Sequence, residues 1–244
     1  MTRFALTGLA GYIAPRHLKA IKEVGGLLVA SLDPATNVGL VDSFFPEAEF
    51  FTEPEAFEAY LEDLRDRGEG VDYLSIASPN HLHYPQIRMA LRLGANALSE
   101  KPLVLWPEEI ARLKELEART GRRVYTVLQL RVHPSLLALK ERLGQEKGAK
   151  DVVLTYVTGR GKWYGKSWKV DEAKSGGLRM YGEGRNHLST THVDVVSAAA
   201  LAAARVPGAA GQAYYLTDVE LLELRELFRA LSESLGLPPP VSGM

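Results

Sequence analysis

The segment Arg3-Phe4-Ala5-Leu6-Thr7 runs directly into Gly8-Leu9-Ala10-Gly11-Tyr12-Ile13-Ala14, so a short apolar strand meets a glycine-spaced turn and then a helical run. A second apolar run, Leu27 to Leu32, closes on Asp33. Gly8 suits the tight turn, Gly11 lets backbone N–H groups approach a pyrophosphate at the helix N-terminus, and an acid about 20 residues onward accepts ribose hydroxyls. A carboxylate there also repels a 2′-phosphate, so NAD is expected over NADP. Gly-x-x-G alone is equally an ordinary capping turn. The preceding strand, the following helix and Asp33 together favour a dinucleotide.

Strand and helix signals alternate through the first half. Strands are predicted at Phe4 to Thr7, Leu27 to Leu32, Tyr73 to Ala77, Ala95 to Ser99 and Val124 to Leu128, with apolar helical patterns between them. Pro15 and Pro107 each open a helix where a missing N–H is tolerated. Strands joined by helices imply right-handed crossovers and an open parallel sheet, with ligands beyond the strands' carboxyl ends. The expected fold class is therefore α/β, a doubly wound Rossmann sheet over residues 1–125.

Two further strand ends fall at that crevice. Tyr73-Leu74-Ser75-Ile76-Ala77 runs into Ser78-Pro79-Asn80-His81-Leu82-His83, and Ala97-Leu98-Ser99 runs into Glu100-Lys101-Pro102. A lysine desolvated at an apolar strand end can exchange a proton with a substrate hydroxyl. On the residues alone, Lys101 reads equally as such a base and as a solvated loop charge. Downstream, Thr158 to Lys169 interleaves cations with aromatics. That composition holds phosphates and stacks a uracil ring, or forms an exposed basic loop. His81 and His83 lack the cysteine or spaced carboxylate that would complete a metal site, so no metal is expected.

The segments Gly8-Leu9-Ala10-Gly11, Ser78-Pro79-Asn80-His81-Leu82-His83, Glu100-Lys101-Pro102 and Gln129-Leu130-Arg131-Val132-His133-Pro134, in that order and spacing, resemble the glucose-fructose oxidoreductase/inositol dehydrogenase/MocA (Gfo/Idh/MocA) family. Ser78 to Gly177 is most similar to its UDP-N-acetylglucosaminuronate 3-dehydrogenases. The resemblance implies an active-site lysine at Lys101. It places Gly8, Gly11, Tyr12, Ile13, Asp33, Pro79, Asn80, His83, Glu100 and Gln129 around NAD. It assigns Arg131, Arg160, Tyr164, Trp168 and Lys169 to a nucleotide sugar.

That resemblance ends at Gly177. Beyond it, the family has an asparagine and then a Gly-x-His-x-x-Asp helix start, whose histidine shares the acid–base work; counting without gaps, Tyr181, Arg185 and Leu188 occupy those places. His187 is close by, but on a helix two residues turn a side chain by roughly 200°. Residues 182–244 are instead similar to the late portion of extended short-chain dehydrogenases, whose catalytic Tyr-x-x-x-Lys occurs nowhere in this chain. The chain thus reads as a junction of two dehydrogenase pieces. Residues 126–177 would form a partial substrate domain and 178–244 a mainly helical tail, with helical spacing at Val193 to Ala204 and Leu224 to Leu231 and one short strand at Ala213 to Thr217. In the family, a broad substrate-domain sheet also makes subunit contacts, which puts a homo-oligomer in doubt.

Composition limits the partners. With 244 residues, 46% of them apolar, the chain can bury a sizeable core. A net charge of -1 argues against a nucleic-acid footprint. No apolar stretch reaches the roughly 18 residues of a membrane span and no leader pattern precedes the first strand, so a cytoplasmic location is expected. Zero cysteine excludes disulfides and thiolate chemistry. The leading expectation is NAD-dependent oxidation of a secondary alcohol, the C3 hydroxyl of a UDP-N-acetylhexuronate, weakened by loss of the family histidine. The alternatives are an NAD-binding module without turnover and a chimera that retains no ligand.

Overall fold

The computed structural model describes residues 1–36, 39–145, 148, 166–176, 179–181, 187–189, 221–235 and 241–243. It divides into two compact units, Met1–Gly176 and Gly177–Met244.

The first unit is built on strands β1 (Arg3–Thr7), β2 (Leu27–Leu32), β3 (Glu49–Phe51), β4 (Tyr73–Ile76), β5 (Asn96–Ser99) and β6 (Val124–Thr126). They form one sheet in the order β3-β2-β1-β4-β5-β6, parallel throughout. Between them run α1 (Ala14–Glu23), α2 (Gly39–Phe44), α3 (Pro54–Asp66), α4 (His83–Arg92) and α5 (Pro107–Thr120). The chain leaves β1 toward one edge and returns to start β4 on the other side of β1, so the strand order reverses between these two neighbours.

The sheet is buried on both faces, and in β1 alternate residues serve different cores. Phe4 and Leu6 pack with Ala14, Leu18 and Ile21 of α1 and Val41 of α2. Ala5, Val29, Ala30, Leu74 and Ile76 pack with Phe57, Leu61 and Leu64 of α3 and Ile87 of α4. Helix ends follow local chemistry. In α5, Pro107 occupies the first turn, the Glu109 carboxylate accepts the N–H groups of Leu105 and Trp106, and Gly121 at φ 69° closes the helix.

After β6 come α6 (Pro134–Gln145) and the short α7 (Glu172–Ser175). The predicted strands agree with the sheet to within two residues at each end. β3 was not expected: it is three residues long and carries Glu49, too short for a period-two pattern to emerge.

In the second unit, β7 (Arg179–Tyr181) pairs in parallel with β10 (Val241–Gly243), and β8 (His187–Ser189) pairs antiparallel with β9 (Leu221–Glu223). Helix α8 (Leu224–Leu235) follows β9 and contains the expected Leu224 to Leu231 run. The described residues of this unit hold four short strands where one was expected. Three-residue strands made by mutual pairing leave no periodic signal of their own. The predicted strand Ala213 to Thr217 and the helical run Val193 to Ala204 lie outside the described residues.

Phe57 is fully buried between α3 and the sheet. Replacement by Ala is expected to lower unfolding free energy by about 3–5 kcal/mol, measured by denaturant titration of the purified chain.

Candidate cofactor and active site

In a parallel sheet all carboxyl ends share one rim, so the segments after β1, β2, β4, β5 and β6 are gathered there. Every cofactor residue expected from the sequence lies in one of these segments: Gly8, Gly11, Tyr12 and Ile13 after β1, Asp33 after β2, Pro79, Asn80 and His83 after β4, Glu100 after β5 and Gln129 after β6. Lys101 stands beside Glu100.

Close approach makes the first turn a glycine turn. Gly8 has φ 81°, and a Cβ added to it would lie 2.5 Å from the backbone of Ala77 and Ser78. Its N–H donates to Leu32 O at 2.9 Å. The N–H of Gly11 donates to Gly8 O at 3.0 Å, closing the turn, and a Cβ added to Gly11 would lie 3.0 Å from that same oxygen. At the start of α1, Ala14 and Arg16 donate to Gly11 O and Ile13 O, and Pro15 has no N–H. Among the described residues, the Tyr12 and Ile13 N–H groups are left without a protein acceptor, at the positive end of α1. That is a cradle of the kind a pyrophosphate fills.

Asp33 is nearly buried. One carboxylate oxygen accepts the N–H of Ala10 at 2.8 Å and the other that of Ala35 at 2.9 Å. Each oxygen keeps a further acceptor site for a ribose hydroxyl. Asp33 therefore also staples the glycine turn to the end of β2.

A buried polar chain underlies the β4 and β5 ends. His17 Nδ1 lies 2.8 Å from Ser75 Oγ, and its Nε2 lies 3.2 Å from Glu100 Oε1. Glu100 Oε2 accepts the Lys101 N–H at 3.4 Å. Burial alone would raise the Glu100 carboxyl, but the hydrogen bond and charge of His17, with those of Lys101, outweigh it and hold Glu100 below its ordinary 4.5. Nearby, Gln86 Oε1 accepts both Thr7 Oγ1 at 2.8 Å and Ser78 Oγ at 2.7 Å, joining the ends of β1 and β4.

His83 is buried at the same rim. The ring is 1% exposed, with Nδ1 2.7 Å from Pro102 O and Nε2 2.9 Å from Ser78 O. Both nitrogens face protein carbonyls, so His83 ties two rim loops together. Lys101 is exposed, so any desolvation of its amine would have to come from bound reactants. The Lys101–Pro102 peptide is cis. Asn80 Nδ2 donates to Ser175 O at 3.1 Å, tying the β4 loop to α7.

Of the expected sugar residues, Arg131 is exposed on the turn Gln129–Val132, Trp168 is half-buried, and Lys169 Nζ lies over the Trp168 ring at 5.8 Å. Arg160 and Tyr164 lie outside the described residues. His187 and Leu188 sit in β8, so the helix-based argument about His187 does not apply. Among the described residues, no group of three or more His, Cys, Asp or Glu is placed to hold a metal, and no helix is long and apolar enough to cross a membrane.

The profile of the Gfo/Idh/MocA family, an oxidoreductase family with an NAD-binding Rossmann fold, matches residues 2–128. The chain belongs to this family. Among solved structures it is similar to the WlbA (WbpB) dehydrogenase of Thermus thermophilus in complex with NAD and alpha-ketoglutarate. That likeness is 99% identical, covers 73% of this chain and 58% of that one, and has a TM-score of 0.70. The same enzyme in complex with NAD and UDP-GlcNAcA gives 0.71 at the same identity and coverage. The inositol 2-dehydrogenase of Paracoccus denitrificans is 28% identical over 144 residues, 57% of this chain and 40% of its own length. A 2-alkyl-3-oxoalkanoate reductase of Stenotrophomonas maltophilia is 39% identical over only 73 residues, 28% of this chain and 22% of its own. The chain spans less than two thirds of the length of each of these relatives.

Because the Glu100 carboxyl is depressed in the folded state, its stabilising contribution is complete above the unfolded value near 4.5 and is lost as pH falls through the lower folded value. Glu100→Gln is expected to flatten the acid limb of the stability–pH curve below pH 4.5 relative to the parent, measured by thermal unfolding across that range.

Proposed function

We propose that this chain is an NAD-dependent oxidoreductase of a nucleotide-sugar secondary alcohol, the C3 hydroxyl of a UDP-N-acetylhexuronate. The observation that carries this reading is the rim itself: free N–H groups of Tyr12 and Ile13, the Asp33 carboxylate and Lys101 all stand at the carboxyl edge of one parallel sheet. Likeness to a dehydrogenase solved with NAD and UDP-GlcNAcA supports the substrate class.

The chemistry a bound NAD supplies is acceptance of a hydride at its nicotinamide ring. The chain's residues do the rest. Tyr12 and Ile13 N–H groups hold the pyrophosphate, and Asp33 accepts ribose hydroxyls and disfavours a 2′-phosphate. The neutral Lys101 amine takes the proton of the substrate hydroxyl as the carbinol hydride leaves, giving a ketone and a lysine ammonium. Arg131, Trp168 and Lys169, with Arg160 and Tyr164, are assigned to the diphosphate and uracil by charge and stacking.

A second reading has its own support. The family likeness seen in the sequence stops at Gly177, and the compact units divide between Gly176 and Gly177. Arg185 stands where the family has its histidine. On this reading the first unit binds NAD without turning over a sugar, and the chain is a junction of two dehydrogenase pieces.

Titration with NADH under fluorescence, followed by absorbance of NADH formed from NAD and UDP-GlcNAcA, separates the readings. Saturable binding with slow turnover is expected; binding without turnover selects the second reading, and no binding defeats both. Lys101→Ala should cut any turnover by about 10²- to 10⁴-fold while leaving NADH affinity in place. Asp33→Ala should weaken NAD binding about tenfold and narrow the preference over NADP. An unchanged preference removes Asp33 from the ribose role.

A further inference from the structure

Lys101 is exposed, yet the residues on both sides of it are gripped by buried histidines. Before it, Glu100 Oε1 faces His17 Nε2; after it, Pro102 O faces His83 Nδ1. The side chains of His17 and His83 are 8% and 1% exposed as residues, and the far nitrogen of each ring is also engaged, His17 with Ser75 Oγ and His83 with Ser78 O. Both far partners belong to β4 or the loop that follows it. His17 also stands one turn into α1, the helix whose N-terminus presents the Tyr12 and Ile13 N–H groups.

We infer that His17 and His83 are a pair of positioning residues that brace the Lys101 backbone from its two sides, each using one defined ring nitrogen. The inference rests on the reading of Lys101 as the proton acceptor. A carboxylate only accepts, so His17 Nε2 must be the donor to Glu100. Both His83 nitrogens face carbonyls, which only accept, and the bond that holds Pro102 is the one donated from Nδ1. His17 thus links the cofactor-binding end of α1 to the residue before the amine. His83 links the β4 loop to the residue after it. An exposed, four-carbon side chain gains a fixed origin only through its backbone, and these two side-chain bonds add to the Glu100 N–H bond to Ile76 O and the Ser99 Oγ bond to Glu100 O.

The two amide substitutions discriminate between ring nitrogens. Gln places its NH₂ donor near the Nε2 position and Asn near the Nδ1 position. His17→Gln and His83→Asn therefore retain the bonds to Glu100 and Pro102, whereas His17→Asn and His83→Gln lose them. The readouts, on the full chain, are deuterium exchange of the peptide spanning Ser99 to Val104, NADH affinity, and kcat with UDP-GlcNAcA. The bond-losing pair should raise exchange in that peptide about threefold to tenfold, the size of one net hydrogen bond, and lower kcat by a similar factor with KM and NADH affinity little changed. The bond-retaining pair should stay near the parent. Equal behaviour of Gln and Asn at either position, including equal loss of folding, overturns the inference. If the parent shows no NADH binding or turnover, the proposed function fails while the exchange pattern still decides the brace.

Discussion

The reversal of strand order between β1 and β4 is the constraint on which the site depends. Two neighbouring parallel strands whose connections leave in opposite directions cannot have their carboxyl ends covered by the same crossover, so a crevice opens between them. Gly8 lies at that split, where a side chain would strike the backbone of Ala77 and Ser78. Thr7, Ser78 and Gln86 join the two strand ends beneath it. A crevice needs both a gap above and a join below, and the hydroxyl-to-amide contacts provide the join without filling the gap.

Polar groups inside the sheet make this rim specific. Thr7, Ser31, Ser75 and Ser99 are all buried at 0–1% exposure within or at the end of apolar strands. A buried hydroxyl without a partner is destabilising, so each must find one, and the partners of Thr7 and Ser75 are Gln86 and His17. Satisfying those groups orients side chains that then reach the rim loops. Packing and site geometry are in this way one problem rather than two.

Much of this was legible in the sequence. The alternation of apolar strands and proline-opened helices gave the sheet, and Asp33 with the glycine turn gave the cofactor end, because both signals depend on near-neighbour spacing. His17 was not recognised. It occupies the i+3 place on the buried stripe Ala14, His17, Leu18, Ile21, where a lone polar residue signals a partner but does not say which one. Its partners lie 58 and 83 residues away. The burial of His83 escaped for the same reason, since it is decided by which loops meet at the rim. The paired short strands of the second unit exist only through long-range pairing, Arg179 with Val241 and His187 with Glu223, and no local pattern announces them.

Asp33 carries a consequence of its own. The carboxylate that would select the cofactor also ties Ala10 and Ala35 in place. Exchanging it for a cation to welcome a 2′-phosphate would remove the acceptor for both amides at once. Redesign of coenzyme choice in this chain is therefore a two-part task, in which a new fastening for the loop must accompany the new charge.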